Sequence, residues 1–162
     1  MASLTVFKFS APDGAGQMLE TLQTLQKMQL IKIQDAAIVT WPVGKDKPKT
    51  KQMVSMAGMG ALQGAFWGML FGLIFFVPFF GLAVGAAFGA LGGKMADYGI
   101  DDTFIKQTRE KVTEGTSALF LLTSDAVQDK VIDELKGYEF ELIASNLSKE
   151  QEVQLMAAFG ED

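Results

Sequence analysis

The chain has 162 residues, of which 49% are hydrophobic and 20% charged; its net charge is −5, and it contains neither histidine nor cysteine. The missing histidine removes the commonest general base and transition-metal ligand, and the missing cysteine removes disulfides, thiol chemistry and iron–sulfur ligation. The acidic balance provides no basic field to neutralise phosphates, so no nucleic-acid partner, no cofactor, no metal and no enzymatic activity are expected.

In chain order, Leu4 to Phe9 alternates as a strand, with Val6 in phase with Leu4 and Lys8. Pro12, Asp13 and Gly14 mark the turn into a helix whose apolar stripe is Met18, Leu22, Leu25 and Met28 or Gln29. Gly14 and Gly16 lack the Lys-Ser/Thr that a phosphate loop requires. Ile31 and Ile33 follow, and Ala36 to Trp41 reads as the next strand. Met1 to Ser10 has no basic stretch and no long apolar run of the kind that marks a signal peptide, so the polar parts are expected to stay in the cytoplasm.

Four lysines then alternate, Lys45, Lys47, Lys49 and Lys51, and in an extended chain they share one face. Two readings stand side by side. One is contact with lipid headgroups, worth about 1 kcal/mol per lysine near an anionic surface. The other is an edge strand whose lysines prevent edge-to-edge pairing.

From Gln52 to Gly93 no charged residue occurs. Within this run stand two four-step glycine ladders, Gly60, Gly64, Gly68, Gly72 and Gly81, Gly85, Gly89, Gly93. Glycine in a helix costs about 1 kcal/mol relative to alanine, so eight of them require a compensating gain. Small residues at every fourth position supply one by letting two backbones approach closely, as membrane helices do. The segment is therefore read as a glycine-zipper helical hairpin with Phe75, Phe76, Pro78, Phe79 and Phe80 around its tip. A helix from Met53 to Phe76 would be about 36 Å long and one from Phe79 to Ala96 about 27 Å, against a hydrocarbon core of about 30 Å. The run thus reads as spanning or re-entrant in a bilayer, with Lys94 and the earlier lysines placing both ends on the cytoplasmic side. Burial of the hairpin inside a lipid-free oligomer is the competing arrangement.

Beyond the hairpin, Asp101 or Asp102 is placed to N-cap a helix over Thr103 to Val112 with Phe104, Ile105 and Val112 as its apolar contacts. The cluster Asp97, Asp101, Asp102 is read as helix termination and capping, because a calcium site needs six to eight oxygens. Tyr98 and Trp41 read as interfacial anchors. Ala118 to Thr123 is an apolar strand, Val127, Val131, Ile132 and Leu135 form a helical stripe closed by Gly137, and Phe140 to Ala144 returns as a strand. Ser148 to Gln151 matches a capping box before Val153, Leu155, Met156 and Phe159.

The elements form two βαβ units, which predicts an α+β, ferredoxin-like fold. Residues 1–51 would supply the first half of a cytoplasmic domain, 52–96 the inserted hairpin, and 97–162 the second half with a C-terminal helix. A mean hydropathy of +0.21 suits such a hybrid.

The run Gly60 to Gly93, followed by Asp97-Tyr98-Gly99-Ile100-Asp101-Asp102-Thr103-Phe104-Ile105 and by Gly115 to Phe120, resembles the bacterial family catalogued as domain of unknown function 1269. The resemblance covers nearly the whole chain and implies a membrane protein of the bacterial inner membrane; it implies no reaction and no catalytic residue. The expected function is a homo-oligomeric, membrane-associated scaffold with lipid as partner. A small channel is an alternative, although only Gln52, Ser55 and Gln63 offer polar side chains. A lipid-free oligomer or a ligand-binding regulatory module is another.

Overall fold

Alternating side chains in the strands create a sheet with two apolar faces, and different parts of the chain cover each. The computed structural model describes residues 2–46, 48–52, 64–76, 95–124, 133–135 and 139–159. The elements are β1 (Ala2–Phe9), α1 (Gly14–Lys27), β2 (Lys32–Thr40), β3 (Lys49–Gln52) and α2 (Gly64–Phe71), which runs on into a π-helical turn at Gly72–Phe76. They continue with α3 (Asp102–Lys111), β4 (Ser117–Ser124), β5 (Glu141–Leu147) and α4 (Lys149–Phe159). The five strands form one antiparallel sheet in the order β3-β2-β4-β1-β5, so the fold is α+β. Because β1 and β2 both pair antiparallel with β4, they run in the same direction on either side of it.

The first face holds Phe7, Phe9, Leu119 and Leu121, and α1 lies on it through Ala15, Met18, Leu19, Leu22 and Leu25. The helix begins close to β1: a Cβ on Gly14 would stand 2.6 Å from Phe9 Cβ, so the turn into α1 requires glycine there. The Asp13 side chain does not cap α1; the buried Ser117 hydroxyl of β4 instead accepts the Ala15 N–H at 3.1 Å and donates to the Ala11 carbonyl at 2.7 Å. The apolar stripe of α1 ends at Leu25. Met28 is exposed and Gln29 adopts φ 61°, where the Gln29 N–H to Gln26 carbonyl and Leu30 N–H to Leu25 carbonyl bonds close the helix in a Schellman turn.

The second face holds Leu4 and Val6 of β1, Ala37 and Val39 of β2, Ala118, Phe120 and Leu122 of β4, and Ile143 of β5. It is covered by α2 and its π-helical continuation, by Met95 to Ile100, by Phe104 and Ile105 of α3, and by Leu155 of α4. Chain that lies between β3 and β4 in sequence is therefore an integral layer of the core. The capping box before α4 forms as read: Ser148 N–H donates to Gln151 Oε1 at 2.9 Å and Gln151 N–H donates to Ser148 Oγ at 3.1 Å. Asp101 caps α3, accepting the Phe104 N–H at 2.9 Å.

Candidate functional site

The chemistry of the second face is concentrated where the apolar segment meets the sheet. β2 pairs Ile33 with Thr123 and Asp35 with Leu122, so Gln34 is an extra residue and the strand bulges. The bulge reverses the alternation. Ile33 and Ala36 both face α1, whereas Asp35 joins Ala37 beneath the apolar segment. The Asp35 carboxylate is 0% exposed, with Oδ1 accepting the Ala36 N–H at 2.8 Å and Oδ2 accepting the indole N–H of Trp67 at 3.2 Å. Trp67 is 2% exposed, stacks on Phe71 and meets Phe120 edge-on, so its one polar atom is matched at the only carboxylate buried on this face among the described residues.

The other end of the segment is held by the only arginine in the sequence. Arg109, half-buried on α3, donates from Nε to the Ile74 carbonyl at 2.9 Å and from Nη2 to the Leu73 carbonyl at 2.6 Å. The last carbonyls of a helix lack intrahelical partners and carry partial negative charge, and the guanidinium answers both deficits at once. Along this segment Phe66, Leu70, Phe71, Leu73, Ile74 and Phe75 are buried in the core. The arrangement recognises an apolar helix. Among the described residues, no group of three or more His, Cys, Asp or Glu is placed to hold a metal ion.

The residues singled out from the sequence fall in several places. Gly60, Gly81, Gly85, Gly89, Gly93, Pro78, Phe79, Phe80, Lys47 and Lys94 lie outside the described residues. Gly64 opens α2, Gly68 lies on its exposed side with nothing within 4 Å of where a Cβ would be, and Gly72 opens the π-helical turn. Phe75 is buried and meets Trp41 edge-on, while Phe76 ends the turn. Lys49 and Lys51 are exposed on the edge strand β3, and Lys45 is exposed in the preceding loop. Among the described residues no helix is long and apolar enough to cross a membrane.

Of the two aromatics read as interfacial anchors, Tyr98 is placed otherwise. Tyr98 is buried in the core, and Trp41 is half-buried with its indole N–H donating to the Lys45 carbonyl at 2.8 Å. The motif from Asp97 to Ile105 is a structural junction. Gly99 N–H bonds the Ala96 carbonyl and Ile100 N–H bonds the Met95 carbonyl, a second Schellman turn, with Gly99 at φ 93°. The Gly99 carbonyl then accepts the Ser145 hydroxyl of β5. Sequence reading missed Asp35 and Arg109; the signal available for both was a charge inside a strand pattern of apolar neighbours and the uniqueness of the arginine.

The model of the family described as Protein of unknown function (DUF1269) matches residues 61–160, and the chain belongs to that family. No curated protein and no solved structure matches the chain. The matched span contains β4 and β5, which share no ladder and are brought together by β1, outside that span.

Proposed function

We propose that this family member is a non-enzymatic, membrane-associated homo-oligomeric scaffold on the cytoplasmic face of a bacterial inner membrane. Its body is ferredoxin-like: the order β2-β4-β1-β5 with β1 and β2 co-directional is the arrangement that two βαβ units give, with β3 added at one edge. One observation carries the membrane reading. Charge is absent from Gln52 to Gly93, and among the described residues the sheet face buries the run from Phe66 to Phe75. The uncharged run as a whole, rich in glycine and phenylalanine, is more apolar sequence than a chain of this size would leave in water. The exposed Lys45, Lys49 and Lys51 suit anionic headgroups near the start of that run. The glycine ladders supply helix packing within or between copies.

The test substitutes none of the described residues that cover the sheet. Leu82, Val84 and Phe88 are replaced together by lysine, each substitution opposing insertion by about 3 kcal/mol at the bilayer centre. Full-length protein should remain with carbonate-washed membranes, and the triple variant should be released. Full-length protein absent from the washed fraction would defeat the membrane reading. It would favour a lipid-free oligomer, the reading supported by the burial of Phe66, Trp67, Leu70, Phe71, Ile74 and Phe75 on the sheet.

A further inference from the structure

The two outer strands of the sheet are built differently. Strand β3 has four residues, follows Pro48 and carries Lys49 and Lys51, so length, proline and charge all oppose addition of another strand. Strand β5 has seven residues and no lysine or proline, and it pairs with β1 without a slip from Ala2↔Leu147 to Lys8↔Glu141. It also has no bulge to turn the edge away, and among the described residues no strand lies beyond it. Its one charge, Glu141, lies 3.7 Å from Lys8 Nζ and 3.5 Å from Lys111 Nζ, so it is not an unpaired guard. Leu142 is 57% exposed, and Ala144 and Asn146 on the same side of the strand are exposed as well.

We infer that β5 is a self-association edge that pairs antiparallel with β5 of a second copy about a two-fold axis at Ala144. In that register Ala144 meets Ala144, Leu142 meets Asn146, Ile143 meets Ser145, and Glu141 meets Leu147. No like charges oppose each other, and the smallest side chain sits on the axis, where bulk would be doubled. An antiparallel pair has its two-fold axis perpendicular to the sheet, so both copies turn the same face the same way. The apolar segments at Gly64–Phe76 then lie on one side of a continuous ten-stranded sheet, the geometry that a single membrane plane requires. The pairing names the interface for the self-association proposed above, and its chemistry is independent of lipid.

The chain has no cysteine, so a single introduced thiol reports one contact. Opposed Cα atoms in an antiparallel pair are about 4.5–5.5 Å apart. Full-length Ala144→Cys, treated with a short bis-maleimide linker in detergent and again in vesicles, should yield covalent dimer at a rate about tenfold or more above Val43→Cys, because pairing raises the local thiol concentration. Val43 is 77% exposed in the loop after β2 and serves as the control. Ala144→Lys places two lysines on the axis at a position already exposed, and in native mass spectrometry it should remove the species that Ala144→Cys cross-links. Equal cross-linking at residues 144 and 43 would overturn the inference whatever the oligomer size and whether or not the protein binds membranes. Release from membranes with cross-linking retained would instead overturn only the membrane reading.

Discussion

The two faces of the sheet are closed by two different kinds of cover. On one, α1 buries Met18, Leu22 and Leu25 and turns Glu20 and Lys27 to water, the division expected of an amphipathic surface helix. On the other, α2 and its continuation bury nearly every large side chain from Phe66 to Phe75 and have no charged side at all. The first cover is oriented by its apolar stripe and ends on its own backbone. It is tied to the sheet at its start by the Ser117 hydroxyl and near its end by Gln26 Oε1, which accepts the Ile33 N–H at 2.6 Å. The second is pinned by two side-chain contacts, Asp35 to Trp67 and Arg109 to the Leu73 and Ile74 carbonyls. A helix apolar on all sides has no preferred face to orient it, so directional polar contacts set its rotation and its end point. The contrast is one of specification: an apolar stripe sets which side of α1 faces the sheet, whereas α2, apolar all round, depends on hydrogen bonds for its rotation.

The largest test of that contrast compares two leucines, Leu22 on α1 and Leu70 on α2, each fully buried. Leu22→Ala and Leu70→Ala should each cost about 3–5 kcal/mol in denaturant unfolding, through lost transfer energy and the cavity left behind. Repeating both measurements with anionic vesicles present separates the faces. With the apolar segment docked on the sheet in lipid as in water, the two costs stay equal. A Leu70→Ala cost that disappears with vesicles, while the Leu22→Ala cost remains, would show that lipid strips the segment from the sheet.

A smaller effect is expected at the polar pins. Arg109→Gln removes two charged donors from helix-end carbonyls and should cost about 1.5–3 kcal/mol, with amide exchange accelerating first in residues 64–76. The counterpart on the other face is Lys27→Gln in the last turn of α1, whose end is closed by backbone bonds; its effect should stay within about 0.5 kcal/mol. Equal effects at the two positions would remove the distinction between a patterned helix and a pinned one.

Legibility in the sequence follows the same division. Strands β1, β2, β4 and β5, helix α1 and the caps of α3 and α4 were readable because alternation, helical periodicity and capping residues are local signals. The β4 strand shows the limit on the central layer: Ala118 to Thr123 is apolar at almost every position, and only the structure assigns Phe120 to one face and Leu119 to the other. The apolar run was legible as something that avoids water, but its composition does not state whether a sheet, another helix or lipid provides the cover. The face that Asp35 takes was unreadable because a one-residue bulge decides it, and a period-two pattern carries no information about where a bulge falls. Ser117 caps α1 from more than 100 positions away, a partnership that no sequence window contains.

An effect smaller than that at Arg109 lies in the two Schellman turns, one leading away from each cover. The turn after α1 places Gln29 at φ 61°, and the turn before α3 places Gly99 at φ 93°. A side chain in the left-handed region costs about 1–2 kcal/mol, part of which glycine forfeits through its greater freedom in the unfolded chain. Gly99→Ala should therefore destabilise by about 1 kcal/mol or slightly more, since the new Cβ would also stand 2.9 Å from Gln151 Oε1, the atom that accepts the Ser148 N–H in the capping box. Gln29→Gly should stabilise by about 0.5–1 kcal/mol, read as a higher denaturation midpoint with an unchanged slope. Opposite signs at two turns with the same hydrogen bonds would establish that backbone conformation, and not loss of a contact, sets the cost. A Gln29→Gly variant less stable than the parent would mean that the glutamine side chain contributes more than its backbone strain removes.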